Sequence, residues 1–85
     1  MPSKTVKVGS SVGLHARPAA VIAEAVSDAG VAVTLAVAGG DPVDAGSALM
    51  IMTLGATVGT EVTVESDDQA TLDKVVDLVE HDLDA

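Results

Sequence analysis

The sequence predicts an α+β fold in which one β-sheet carries three helices on one of its faces. Residues 31–37 and 61–65 alternate between apolar and polar or small side chains, as half-buried strands do. From residue 19 onward, apolar residues recur at the spacing i, i+3, i+4 and i+7 of a helix face. With the other elements the order becomes βαββαβα, which one sheet with helices on one face accommodates economically. Periodicity leaves the strand order open, and a ferredoxin-like arrangement shares most of the pattern. We expect one domain over residues 1–85.

The first elements are a short strand and a long helix. Thr5–Val8 is predicted to be a strand, and Gly9–Gly13 a loop. The first helix is predicted from about Ala16 to Ala29, because its apolar face continues to the end of this stretch. Gly30 follows as the left-handed residue that ends a helix.

A hairpin is predicted next. Val31–Val37 has the clearest strand alternation in the chain, and Gly39-Gly40 is a turn signal. A short strand is predicted near Asp41–Val43. Because Pro42 cannot donate a backbone hydrogen bond, we expect this strand at an edge of the sheet.

The last part of the chain is predicted to contain two helices around one strand. A brief helix should begin at Ser47 and end at Gly55, and a loop follows to Gly59. Glu61–Glu65 should be a strand with one face in solvent. Ser66–Gln69 has the pattern of a capping box, with acidic residues in the first turn. The final helix should bury five apolar residues, namely Leu72, Val75, Val76, Val79 and Leu83.

Composition excludes several classes of function. Thirteen acidic residues against four basic ones give a net charge of −9, which argues against nucleic acid or anionic membrane as a partner. This acidity fits adaptation to high salt or simply a soluble acidic protein. The absence of cysteine excludes disulfides and thiol chemistry and fits a cytoplasmic protein. We expect neither a signal peptide nor a membrane span, since no apolar stretch has the length for either.

The stretch Gly13-Leu14-His15-Ala16-Arg17-Pro18-Ala19-Ala20 has the features of a phosphate site. Pro18 fits the first turn of a helix, so His15 should lie at or near the N-cap. The positive pole of the helix disfavours a second positive charge, which predicts an uncharged imidazole with its lone pair available. The free amides of Ala16 and Arg17 could hold the phosphoryl group, and the Arg17 guanidinium suits its oxygens.

This stretch resembles the active-site signature of HPr, the family of histidine phosphocarriers in the phosphoenolpyruvate-dependent sugar phosphotransferase system. Residues 47–55, Ser-Ala-Leu-Met-Ile-Met-Thr-Leu-Gly, are similar to the regulatory-serine helix of that family. The resemblance implies an open-faced sandwich with a four-stranded antiparallel sheet. It also implies that His15 Nδ1 accepts a phosphoryl group from enzyme I and passes it to the IIA domain of a sugar permease, with Arg17 stabilising the phosphate. The carrier would be a cytoplasmic monomer without cofactor or enzymatic activity of its own.

The resemblance also implies further sites. Ala16, Ala20, Leu49, Met52 and Thr53 align with the apolar surface on which partners dock. Ser47 matches a serine that a kinase phosphorylates in some relatives. Here, however, Gly46 replaces the Lys that often precedes that serine, so we rank its role as a helix cap first.

Two other classes of function compete with the phosphocarrier. An acyl carrier protein would also be small and acidic, with a serine before a helix, but that family is all-helical. A regulatory binding module could use the same fold, although the joint presence of His15 and Arg17 favours a carrier. His81 is predicted to pair with Asp77 one helical turn earlier, and two distant histidines predict no metal site.

Overall fold

The computed structural model describes residues 2–9 and 13–81. Its elements follow the predicted order βαββαβα, and their bounds are β1 Ser3–Lys7, α1 Ala16–Ala29, β2 Val33–Val37, β3 Val43–Asp44, α2 Ala48–Met52, β4 Glu61–Ser66 and α3 Gln69–Glu80. The predictions for Leu83 and for the loop residues Ser10, Ser11 and Val12 lie outside the described residues.

The four strands form one antiparallel sheet in the order β1-β4-β2-β3. β4 therefore lies between β1 and β2, with Val62 opposite both Val6 and Val37. Along β4 the buried side chains are Val62, Val64 and Ser66, and the residues between them point to the other, more exposed face. The sheet thus has one covered and one open face, as predicted. An all-helical acyl carrier fold is wrong for this chain.

The helices cover the buried face of the sheet. α3 packs on β1 and β4, α1 packs on α2 and α3, and α2 lies near β3. Because the chain has no aromatic residue, the core is built from aliphatic side chains alone. Ile22 of α1, Leu35 of β2 and Ile51 of α2 are 0% exposed. Full burial of such a side chain contributes about 1.5–3 kcal/mol.

The strand boundaries differ from the prediction for physical reasons. β1 begins two residues earlier than predicted, at Ser3, and ends one residue earlier, at Lys7. Val8, which follows the strand, is nevertheless buried. β2 begins at Val33 instead of Val31, and the carbonyl of Ala32, just before it, accepts a hydrogen bond from the side chain of Ser66 at 3.0 Å. β3 lies at the predicted sheet edge, but it comprises Val43–Asp44, after Pro42.

The first helix ends as predicted, whereas the second ends earlier. Gly30 caps α1 in the left-handed conformation, with φ 70°. α2 has Ser47 as its N-cap, but it ends at Met52 with Thr53 as its C-cap. Gly55 follows two residues later with φ 63°, and its amide donates to the carbonyl of Met52, the last residue of the helix, at 3.2 Å.

The predicted capping box at Ser66 is wrong. Ser66 is the last residue of β4 and is fully buried, where its hydroxyl donates to the Ala32 carbonyl and accepts from the Asp68 amide at 3.2 Å. The N-cap of α3 is Asp68, whose carboxylate accepts from the Thr71 amide at 3.1 Å. No acidic residue lies in the first turn of α3. The helix begins later than the pattern predicts because Ser66 still belongs to β4, where it lies opposite Val33 of β2.

Candidate functional site

His15 is the N-cap residue of α1 and is exposed. Its backbone is extended, with φ −89° and ψ −164°, and its carbonyl accepts the first bond of the helix, from the Ala19 amide at 2.9 Å. Pro18 contributes no N–H, and it is buried in the first turn. The helix amides that precede the first intrahelical bond are therefore those of Ala16 and Arg17, at the positive end of the helix dipole.

Two buried anchors fix the short exposed segment that contains His15. On one side Leu14 is 4% exposed, and its amide donates to the carbonyl of Ala56 at 3.0 Å. On the other side Pro18 and Ala19 are buried and begin the buried face of α1, with Ala19 0% exposed. His15, Ala16 and Arg17 lie exposed between these anchors. The imidazole and the guanidinium thus reach solvent from a backbone that is held on both sides.

The loop before β4 supports this arrangement. Gly13 has φ 79°, and a Cβ there would lie 2.4 Å from the Ala56 carbonyl oxygen. The same loop holds the end of β1, because the amide of Gly59 donates to the Val8 carbonyl at 2.9 Å. We had not predicted a supporting role for this loop. Contacts between residues 13–14 and residues 56–57 leave no local signal in the sequence.

The short helix α2 presents apolar side chains to solvent. Ile51 anchors it in the core, whereas Leu49 is 70% exposed and Met52 is 37% exposed. Thr53, Ala16 and Ala20 are also exposed, and α1 packs against α2. The residues predicted for docking therefore lie at the surface of two adjoining helices. Among the described residues, three further large apolar side chains are exposed that the sequence did not indicate, namely Val21, Met50 and Val58.

Ser47 acts as the cap of α2. Its hydroxyl accepts a hydrogen bond from the Met50 amide at 3.3 Å. The side chain of Asp44 supports the turn before it by accepting from the Gly46 amide at 2.8 Å. Gly46 is therefore part of the turn that precedes α2, and its amide is bonded there.

The second histidine lies at the end of α3. Its Nδ1 lies 2.7 Å from the carbonyl oxygen of Asp77 and 3.2 Å from its carboxylate, which confirms the predicted pair. The hydrogen bond to the Asp77 carbonyl, and then the Asp77 carboxylate, raise the pKa of His81 above its ordinary value. Both side chains are largely exposed, and His81 is the C-cap residue of α3.

Neither a metal site nor a membrane span is found in the part of the chain that the structure describes. Among residues 2–9 and 13–81, no three His, Cys, Asp or Glu side chains gather as metal ligands would. Within the same residues, no helix has the length and apolar character needed to cross a bilayer.

Comparison with known proteins identifies the family. Residues 2–81 match the family model described as the PTS HPr component phosphorylation site, where PTS denotes the phosphotransferase system. The chain belongs to the HPr family. It is 41% identical over 87 residues to the phosphocarrier protein HPr of Streptomyces coelicolor, with 99% of this chain and 94% of the relative covered.

Solved HPr structures share the fold. The crystal structure of HPr from Bacillus anthracis has a TM-score of 0.82 and 28% identity, and covers 92% of this chain and 95% of its own. The structure of HPr-C-His from Thermoanaerobacter tengcongensis has a TM-score of 0.84 and 30% identity, with 94% and 92% covered. The HPr arrangement that the two motifs implied is confirmed, and the chain is a phosphocarrier of the phosphotransferase system.

Proposed function

We propose that His15 Nδ1 carries the phosphoryl group, which it accepts from phosphorylated enzyme I and transfers to the IIA domain of a sugar permease. The observation that carries this proposal is the position of His15, exposed at the N-cap of α1 beside the amides of Ala16 and Arg17. A helix N-terminus with free amides binds phosphate readily. The protein is then a stoichiometric carrier, used and regenerated in each cycle, and not an enzyme.

The transfer needs only groups that this segment supplies. The lone pair of the uncharged imidazole attacks phosphorus, and the bond from phosphorus to the donor breaks as the donor keeps that electron pair. The amides of Ala16 and Arg17 donate to the phosphoryl oxygens. The Arg17 guanidinium, a planar fork, can donate two parallel hydrogen bonds to the same group. Transfer to the acceptor repeats these events in reverse.

The two histidines of the chain provide a matched test. The wild type, His15→Ala and His81→Ala are each incubated with enzyme I and labelled phosphoenolpyruvate. The wild type and His81→Ala should take up label that is lost in acid and kept in base, and His15→Ala should remain unlabelled. Undiminished labelling of His15→Ala would refute the assignment.

The role of Arg17 can be tested with one substitution that removes its charge and one that keeps it. Loss of a charged hydrogen-bond donor of roughly 1.5–3 kcal/mol should slow transfer about 10- to 100-fold in Arg17→Ala. Arg17→Lys should recover part of the rate, since it keeps the charge but not the fork. Because Arg17 is exposed, circular dichroism and the unfolding midpoint should not change. A normal transfer rate in Arg17→Ala would exclude its role.

The docking surface and the regulatory serine complete the proposal. Ala16, Ala20, Leu49, Met52 and Thr53 would contact enzyme I and the IIA domain in turn. A phosphoryl group on Ser47 would add about −1.5 to −2 charges beside this surface and weaken both contacts. Its capping bond to Met50 supports the structural role first. Intact mass after incubation with an HPr kinase would decide whether the serine is also modified.

A further inference from the structure

The exposed sulfur atoms of the described chain are concentrated on one helix. Met50 is 41% exposed and Met52 is 37% exposed, on either side of the buried Ile51. The chain has no cysteine, tryptophan or tyrosine, and it has three methionines. Thioethers are therefore its main targets for mild two-electron oxidants, and the two that the structure describes both lie on α2.

We propose that Met50 and Met52 are an oxidation-sensitive modification site that weakens docking of the phosphotransferase partners; this inference rests on the proposed function. The oxidant is a hydroperoxide. The sulfur lone pair attacks the terminal peroxide oxygen, an S–O bond forms and the O–O bond breaks. The transferred oxygen gives up its proton, which the departing oxygen takes, so that the sulfur is left as a sulfoxide and the departing oxygen leaves as water or an alcohol. The sulfur is oxidised by two electrons and the peroxide is reduced, and sulfoxide reductases with a thiol reverse the change.

A sulfoxide changes what α2 offers to a partner. The thioether of methionine is apolar and adaptable, which suits a surface that must fit more than one partner. A sulfoxide is polar, so docking would bury an oxygen without a hydrogen-bond donor opposite it. Met52 lies in the proposed docking surface, with Met50 two residues before it on the same helix. We expect roughly a tenfold lower kcat/KM for transfer from enzyme I.

Oxidation should leave the fold intact. The side chain that anchors α2 in the core is Ile51. The two side-chain hydrogen bonds at the ends of the helix involve the backbone of Met50, whose amide donates to the Ser47 hydroxyl and whose carbonyl accepts from the Thr53 hydroxyl. Neither bond uses a methionine sulfur, and neither side chain is buried. The loss of transfer should therefore come from docking and not from unfolding.

The test compares each protein with itself before and after hydrogen peroxide. Intact mass and peptide mapping should find one added oxygen on Met50 and one on Met52 of the wild type. The treated wild type should transfer about tenfold more slowly, with its unfolding midpoint retained, and sulfoxide reductase with dithiothreitol should restore the rate. The control is the variant Met50→Leu/Met52→Leu, whose transfer rate after treatment is compared with its own rate before treatment. The two rates should be equal.

The outcomes separate the two proposals. Failure of the untreated wild type to accept label would overturn the proposed function itself. Labelling of the untreated protein, with an equal rate after both methionines are oxidised, would overturn only the oxidation site. The oxidation site would also be overturned if the leucine variant lost as much rate as the wild type, or if oxidation unfolded the chain.

Discussion

Replacing Gly13 by Ala should destabilise the protein more than replacing a left-handed glycine ordinarily does. The backbone there has φ 79°, and the added Cβ would lie 2.4 Å from the Ala56 carbonyl oxygen and 3.0 Å from the Thr57 Cα. A non-glycine residue in the left-handed region costs about 1–2 kcal/mol. The contact cannot be relieved by a side-chain rotation, because the obstructing atoms are backbone.

The clash should also break a hydrogen bond. The Leu14 amide donates to the same Ala56 carbonyl at 3.0 Å, so moving Gly13 away from that oxygen lengthens this bond. Its loss adds about 0.5–1.5 kcal/mol. We therefore expect Gly13→Ala to lower the free energy of unfolding by about 2–3 kcal/mol or more. In a domain of this size, that corresponds to a fall in Tm of about 8–24 °C.

Gly30→Ala is the matched control. Gly30 also has a positive φ, 70°, but a Cβ there would meet no atom within 4 Å. Only the left-handed cost of about 1–2 kcal/mol applies. Thermal unfolding followed by circular dichroism measures both variants, and enzyme I labelling is run at a temperature where both are folded. Gly13→Ala should be the less stable and should also transfer more slowly, because His15 follows two residues later. Equal stability and equal transfer rates in the two variants would refute the reasoning.

Substitutions at three further side chains test their separate contributions to stability. Ser47→Ala should lower the free energy of unfolding, measured with urea, by about 1 kcal/mol. Ser47→Asp keeps a side chain that can cap α2 and should lower it less. Equal losses in the two variants would exclude the capping role. Ser66→Ala should cost about 1–3 kcal/mol, because it removes a fully buried hydroxyl that joins the Ala32 carbonyl to the Asp68 amide, and an unchanged urea midpoint would contradict this. His81 has a raised pKa, so its pairing with Asp77 stabilises the fold fully below its ordinary pKa and loses effect as pH rises through the folded value. His81→Gln should therefore reduce the stability difference between about pH 5.5 and about pH 8.5, and an unaltered difference would count against the pair.

Local patterns predicted the elements well where a single side chain decides the outcome. Gly30 ends α1 and Ser47 begins α2 as expected, because a left-handed glycine and an N-cap serine act within a few residues. The candidate site also followed from local features, since His15, Arg17 and Pro18 lie within one turn at the start of α1. Their assigned roles in phosphoryl transfer remain predictions.

Distant contacts account for what the sequence did not predict. Ser66 has the sequence context of a helix cap, but the Ala32 carbonyl, which lies 34 residues away in the chain, engages its hydroxyl. The same bond lies next to the start of β2 at Val33. Likewise, Leu14 is held by Ala56, and no pattern around either residue indicates that they meet. Strand order is also a property of the whole chain. The family resemblance implied a four-stranded antiparallel sheet, but the order β1-β4-β2-β3 is given by the structure alone.

The central position of β4 has a consequence for biosynthesis. Within the residues that the structure describes, β1 has no strand neighbour other than β4, and β2 would otherwise have only the two-residue β3 beside it. While the ribosome is still producing the first 60 residues, the sheet lacks the strand on which its other long strands assemble. Until Glu61–Ser66 emerges, β1 therefore lacks its partner strand and β2 can pair only with the short β3, so sheet formation must wait for contacts that are distant in the sequence.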